Sequence, residues 1–297
     1  MSEGTFLAAE IATQPDDWLR VRGILPSVAM DLAQPGERLA VIGCGTSLFV
    51  AQAYAALREE AGEGVTDAWP ASEHRLGRGY DRLLCITRSG TTTEVLDVAK
   101  QYRSVMPVTV ITADPMSPAV SLARPIVLAE VDERSVVQTR FATTTLALLR
   151  ASLGHDLGPV AEQAQRVLAE GPDVEAPAAT ADQITFLGRG WTVGLAHEAA
   201  LKLRETAQLW TESYPAMEYR HGPFSITTSG RVAWAFGEVP VGLPEQVRAT
   251  GGHFEHSDLD PMADLVRVQQ LCLLRARAAG LDPDQPRGLS RAVVLDQ

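Results

Sequence analysis

Short apolar runs separated by polar, helix-patterned stretches set the rhythm of this sequence. The runs are LAVIG (39–43), RLLCIT (82–87), VTVIT (108–112) and IVLA (126–129), then ITFLG (184–188) and VAWAF (232–236). Each is shorter than a typical helix, rich in apolar and β-branched residues, and reads as a buried strand. Between them small and apolar residues recur at helical spacing, as in residues 46–60 and 92–103. Strands alternating with helices predict parallel sheets covered by helices on both faces, an α/β architecture.

The pattern is internally repeated. VIGCGTSLFVAQAYAALREE (41–60) aligns without a gap to FLGRGWTVGLAHEAALKLRE (186–205), pairing Gly43 with Gly188, Gly45 with Gly190, Ala51 with Ala196, Ala55 with Ala200 and Glu60 with Glu205. WPASEHR (69–75) aligns to YPAMEYR (214–220) at the same offset of 145 residues. A repeat of this length is domain-sized, not solenoid-sized. It predicts two similar halves, residues 1–169 and 184–297, each with a strand, a GxG turn and a helix. The acidic, proline- and alanine-rich stretch 170–183 reads as the linker.

Composition narrows the function classes. With 45% hydrophobic and 21% charged residues in 297, the chain has the makings of two folded cores. A net charge of -11 argues against a nucleic-acid surface, though a local cluster of amides and cations still suits a small anion. Cys44, Cys85 and Cys272 lie far apart, without CxxC spacing, which fits a reducing compartment. The acidic N-terminus lacks the pattern of a secretory signal and no apolar stretch has membrane-spanning length, so a cytoplasmic location is expected.

Candidate chemistry concentrates in three places. In ITRSGTTTEVLDVAK (86–100), five hydroxyl side chains fall between Thr87 and Thr93, where a strand gives way to a helix. A helix start with hydroxyl donors suits a phosphate; the alternative is that Ser89 or Thr91 merely caps the helix. In VIGCGTS the GxG turn lacks the third glycine of a dinucleotide fingerprint, Leu48 standing there, while Thr46 and Ser47 offer hydroxyls at a second strand end. The second half shows no hydroxyl row after VAWAFG, which leaves one phosphate site per chain. Glu198, Lys202 and Glu205 are spaced to share one helix face, either as a surface salt bridge or as a carboxylate site for proton transfer. His221, followed by Gly222 and Pro223, is either structural or presented by a turn. His253 and His256 lie in what reads as a solvated loop without a third ligand, so no metal is expected.

The motifs CGTS (44–47), ASEHR (71–75), TRSGTT (87–92), SVVQTR (135–140), LGRG (187–190), EAALKLRE (198–205), YRHGP (219–223) and DQPRGLSRAV (284–293) resemble, in order, those of the sugar isomerase (SIS) domain family. Within it the chain is most similar to the isomerase half of glucosamine-6-phosphate synthase and to stand-alone sugar-phosphate deaminases and fructosamine deglycases. The resemblance implies two tandem flavodoxin-like α/β/α SIS subdomains with parallel sheets, no cofactor, and a homodimer with its site at the subunit interface. Thr46, Ser47, Thr87, Arg88, Ser89 and Thr92 take the positions that hold the sugar phosphate, and Val136 and Gln138 those near the sugar hydroxyls. Glu205 takes the place of the base moving a proton between C1 and C2, with Glu198 and Lys202 beside it. His221 takes that of the ring-opening histidine from the partner subunit.

The departures shape the expectation. No glutaminase segment is expected ahead of the chain and Ser2 is no nucleophilic cysteine, so glutamine is not expected as ammonia source. Arg88 and Thr91 replace the family's frequent glutamine and glutamate, and Gln138 replaces a serine. Arg291 stands where the synthase pattern has an imine-forming lysine, and a guanidinium cannot form an imine. These features lean towards deaminase or deglycase chemistry on a phosphorylated amino sugar or ketosamine. The alternative is a phosphosugar-binding sensor without turnover.

Overall fold

A computed structural model describes residues 5–295. The elements run α1 (Thr5–Val28), β1 (Leu39–Gly43), α2 (Thr46–Glu60), β2 (Thr66–Pro70), β3 (Arg82–Ile86), α3 (Thr93–Tyr102), β4 (Val108–Thr112), α4 (Pro118–Leu122), β5 (Arg124–Val127) and α5 (Arg140–Ser152). They continue with α6 (Gly158–Glu170), α7 (Pro177–Thr180), β6 (Gln183–Gly188), α8 (Thr192–Ala207), β7 (Thr211–Pro215), β8 (Arg231–Ala235), α9 (Leu243–Ala249), β9 (His253–His256) and α10 (Pro261–Ala278). No described helix is long and apolar enough to cross a membrane.

All strand pairs are parallel, in two sheets ordered β2-β1-β3-β4-β5 and β7-β6-β8-β9. The first is the flavodoxin-like order and the second is the same order less its last strand. Most apolar runs read from the sequence are central strands: β1, β3, β4 and β6 are buried along their whole length and β8 in all but its first residue, whereas IVLA falls on β5, an edge strand in which only Ile126 is fully buried. The other three edge strands, β2, β7 and β9, lack the apolar signature altogether. In β2 (TDAWP) and β7 (TESYP) only the first residue is fully buried, and in β9 only Phe254 is. The segment holding His253 and His256 is therefore strand, not solvated loop. His256 Nε2 lies 2.9 Å from the Gly237 carbonyl oxygen, and His253 Nε2 lies 3.2 Å from Glu255. Among the described residues no cluster of three potential metal ligands occurs.

The chain forms two compact lobes, each built from three segments. The first comprises residues 16–134, 140–157 and 290–295, and the second residues 5–15, 135–139 and 158–289. This interleaving departs from a boundary at 169, and helix packing explains it: α6 packs on α10, which packs on α8 of the second sheet. The stretch 170–183 is tied to the same layer, since the Arg275 guanidinium donates to the carbonyls of Ala179 (2.8 Å) and Ala181 (3.0 Å).

The repeat is structural. Gly43 pairs with Pro70 across β1 and β2, and Gly188 with Pro215 across β6 and β7. Gly45 and Gly190 adopt nearly the same positive φ, 54° and 52°. A Cβ on Gly43 would lie 2.6 Å from the Ser47 carbonyl carbon, and one on Gly188 would lie 2.4 Å from that of Thr192. In both copies the helix backbone presses on the end of the first strand, so only glycine fits. Buried Arg58 braces the first lobe, donating to the carbonyls of Gln34 (2.7 Å), Glu37 (2.9 Å) and Glu63 (2.5 Å) and to Thr66 Oγ1 (2.8 Å).

Gly188→Ala is expected to destabilise by about 1–3 kcal/mol or more through overpacking against immovable backbone. Gly23 lies inside α1 with no atom within 4 Å of where a methyl would sit, and it gives the opposite sign. Gly23→Ala stabilises by roughly 0.5–1 kcal/mol. Denaturant unfolding midpoints of the two variants check this contrast.

Candidate functional site

The register of the first sheet assembles the hydroxyl cup. Ile42 pairs with Cys85, so the carboxyl ends of β1 and β3 emerge side by side at the point where strand order reverses. That crevice is where open α/β sheets take ligands. The turn after β1 supplies Thr46 and Ser47, both 3% exposed, in the first turn of α2. The loop after β3 supplies Thr87, Ser89, Thr91 and Thr92. Thr87 Oγ1 is buried without a hydrogen-bond partner. Ser89 Oγ accepts from the Thr91 amide (3.2 Å) and hydroxyl (2.9 Å). Helix α3 begins at Thr93, three residues after Gly90, and its N-cap Thr92 makes no side-chain cap. Neither Ser89 nor Thr91 is consumed as a helix cap.

Arg88 is engaged elsewhere. It is 2% exposed, its Nη1 donating to Glu133 Oε2 (3.1 Å) and its Nη2 to the Arg291 carbonyl (3.1 Å). The carboxylate of Glu133, itself 1% exposed, balances the cation. Arg291 donates to the Glu133 carbonyl and to Asp132 Oδ1. Glu94, in the first turn of α3, is a neighbour that the motifs do not announce. Its Oε2 is buried without a hydrogen-bond partner, and burial together with its charge pushes the Cys44 thiol above the usual thiol range. An acidic residue at a helix start is the sequence signal that marks it.

In the second lobe the equivalent crevice has lost its hydroxyls. The Thr192 hydroxyl, aligned with Ser47, lies within hydrogen-bond distance of the carbonyls of Arg189 (2.9 Å) and Phe236 (3.0 Å) and accepts from the Arg189 amide (2.9 Å). It is a brace. Helix α8 carries the charged face instead. Lys202, 1% exposed, lies 3.6 Å from Glu198 Oε1 and 2.5 Å from Glu205 Oε2. At the repeat offset, Glu198 and Lys202 correspond to Ala53 and Leu57, both buried and apolar. A buried ion pair has thus replaced core packing in one copy only, which excludes the surface-bridge reading. Comparing the repeats position by position is the signal that finds it.

Glu205, with its side chain 17% exposed, is the more open end of this triad. It lines a groove of about 680 Å³ with Leu201, Arg204, Leu209, Trp210, Glu212 and the tail residues Arg287 and Leu289. Trp210 is 74% exposed. On the far side of Lys202, Cys272 is buried; loss of hydration pushes its thiol up to about 12 and makes it inert as a nucleophile. Burial and the Arg204 charge hold His197 below the usual histidine range, with Nδ1 2.9 Å from Ser213 Oγ.

The remaining candidates are placed as follows. The Val136 amide donates to the Asp284 carbonyl (3.1 Å), and Gln138 Oε1 is buried without a partner. Asp284 also accepts from the Phe6 and Leu7 amides at the start of α1, at 3.2 and 2.7 Å. His221 is exposed at the end of a short 3-10 turn, Glu218–His221, before Gly222 at φ 137°.

With this geometry in hand, comparison with known proteins is specific. The family model for the SIS domain matches residues 31–153. Those residues are a SIS domain. Among curated relatives, a glutamine–fructose-6-phosphate aminotransferase [isomerizing] from Methanothermobacter thermautotrophicus is 27% identical over 98% of this chain and 58% of its own length. The chain thus spans little more than half of that relative. Among solved structures, glucosamine-6-phosphate deaminase from Thermotoga maritima superposes with a TM-score of 0.83 at 21% identity, covering 97% of this chain and all of its own. Tagatose-6-phosphate ketose/aldose isomerase from Escherichia coli gives 0.82 at 19% identity, covering 97% of each. These likenesses show that the two-sheet α/β fold is shared with these structures over nearly the whole chain.

Removing Lys202 would take away the buried cation 3.6 Å from Glu198. Lys202→Met is expected to destabilise by about 3–5 kcal/mol, whereas Glu205→Gln, at the groove, shifts the unfolding midpoint far less; thermal unfolding of both checks the asymmetry.

Proposed function

We propose that the chain is a phosphosugar isomerase or deaminase that moves a proton between C1 and C2 of an amino sugar phosphate or ketosamine phosphate, releasing ammonia or an amine. The observation that carries this reading is the placement of Glu205: a carboxylate fixed by a buried lysine and opening onto a groove of ligand size. The hydroxyl cup of the first lobe takes the phosphate dianion, with neutral donors and helix-start amides rather than free cations. Glu205 removes the proton on the carbon next to the carbonyl of the open-chain sugar. The electron pair forms an enol-type C1–C2 double bond, and the proton returns to the neighbouring carbon, leaving a C=N bond that water hydrolyses to carbonyl and free amine. Glu198 and Lys202 position the base. Val136 and Gln138 lie near the sugar hydroxyls, and in a homodimer the exposed His221 serves ring opening in the second copy. The reaction needs no cofactor, and its setting is cytoplasmic.

Arg291 favours a substrate whose carbonyl is already accessible, as in a ketosamine, because its guanidinium cannot form an imine. The same substitution supports a second reading, a phosphosugar sensor without turnover.

Ammonia release from glucosamine 6-phosphate, and amine release from a fructosamine 6-phosphate, separate the two. In the enzyme, Glu205→Gln lowers kcat by about 10²–10⁴-fold, the usual contribution of general acid–base catalysis, while Ser89→Ala chiefly raises KM. Tight binding of these compounds with no product from the wild-type chain establishes the sensor instead.

A further inference from the structure

We infer that Arg88, Glu133, Arg291 and Asp132 form a latch that fixes the register of residues 290–295 across the hydroxyl loop, making Arg291 a positioning residue for phosphosugar binding. The contacts are reciprocal. Arg88, from the loop, donates to Glu133 and to the backbone carbonyl of Arg291. Arg291, from the tail, donates to the backbone carbonyl of Glu133 and to the side chain of Asp132. Glu133 Oε1 in turn accepts from the Phe141 amide at the start of α5 (3.3 Å), which anchors the latch to the body of the lobe. The Arg88 carbonyl is held from the other side by the Thr112 hydroxyl and the Ala113 amide, each at 3.0 Å.

Beyond the latch, the tail reaches the helix start that the phosphate would use. The Thr93 amide donates to the Val293 carbonyl (3.2 Å), and the Leu295 amide donates to Thr93 Oγ1 (2.9 Å). Thr93 is the first residue of α3, so its N–H is one of the helix-start donors an anion would otherwise share. The register of the tail therefore decides which donors remain for the ligand. A terminal segment holds such a register only when tied down. Arginine does this where lysine would not, because its planar fork serves a carbonyl and a carboxylate together. Two of the four positions that depart from the pattern of the family the chain resembles, Arg88 and Arg291, close the latch on each other.

This role rests on the phosphosugar reading of the loop, but the latch is testable apart from it. Arg291→Ala, Asp132→Ala and the double variant are compared by amide hydrogen exchange over residues 90–95 and 290–295, and by calorimetric binding of glucosamine 6-phosphate and inorganic phosphate. The Arg291–Asp132 pair is partly exposed and adds little to global stability, so the unfolding midpoint is unchanged. Each single variant is expected to speed exchange in both segments and to weaken glucosamine 6-phosphate binding, Asp132→Ala by about tenfold through the loss of one charge-assisted hydrogen bond and Arg291→Ala by more because it also loses the bond to the Glu133 carbonyl. The double variant is expected to match Arg291→Ala, in which the Asp132 contact is already gone, the signature of direct coupling. Unchanged exchange in Arg291→Ala, additive losses in the double variant, or a loosened tail with undiminished affinity would each overturn the inference. A wild-type chain that binds neither ligand overturns the phosphosugar reading instead, and the latch is then decided by the exchange data alone.

Discussion

Parallel pairing of the first and third strands of each sheet is the constraint on which the site depends. A 2-1-3-4 order forces the crossovers after β1 and β3, and after β6 and β8, to opposite faces, and a crevice opens between their carboxyl ends. The register then fixes which residues face each other: Ile42 against Cys85 in the first lobe, Leu187 against Ala235 in the second. Everything after those residues is loop, and loop chemistry is free to diverge while the strands beneath stay the same. The first lobe places hydroxyls at the crevice, whereas in the second the threonine there is spent on backbone carbonyls.

Divergence between the copies is therefore the informative quantity. A buried lysine flanked by two glutamates loses hydration that its Coulombic attraction only partly returns, and an apolar pair of similar volume is usually as stable or more so. Ala53 and Leu57 are that apolar solution, present on the same scaffold in the same chain. Retaining Glu198 and Lys202 in the second copy works against stability, which is what a site kept for binding or chemistry looks like energetically. The hydroxyl row shows the same asymmetry in reverse.

Much of this is legible in the sequence. Central strands announce themselves because both faces are buried and nearly every residue is apolar; edge strands such as TDAWP, TESYP and HFEH do not, even though the first two lie in or beside the repeat. The repeat itself is visible because close backbone approach leaves glycine as the only residue that fits at Gly43 and Gly188. Arg88 is the harder case. A cation in a row of hydroxyls reads as an anion ligand, and only the fold brings up Glu133, 45 residues further along, to balance it. The lobe boundary is hidden for a similar reason, since nothing local in α6 says that it packs with α10 rather than with the helices before it.

The substitution at residue 291 bears on chemistry as well as on anchoring. A lysine there would be a flexible amine able to lose its proton and attack a carbonyl; an arginine stays charged and spends its fork on Asp132 and the Glu133 carbonyl. Covalent activation by the tail is thereby removed, and the proposed reaction is left to proton transfer at Glu205 alone. Such a route suits a substrate that supplies its own accessible carbonyl and a basic leaving amine. The groove beside Glu205 suits that demand, because Leu209, Trp210 and Leu289 offer apolar walls and Arg204 and Arg287 offer cations for an anionic group, such as a carboxylate, carried on an amine substituent larger than ammonia. A ketosamine phosphate meets both conditions with one molecule, which is why the proposed reading leans to amine release over simple aldose–ketose exchange.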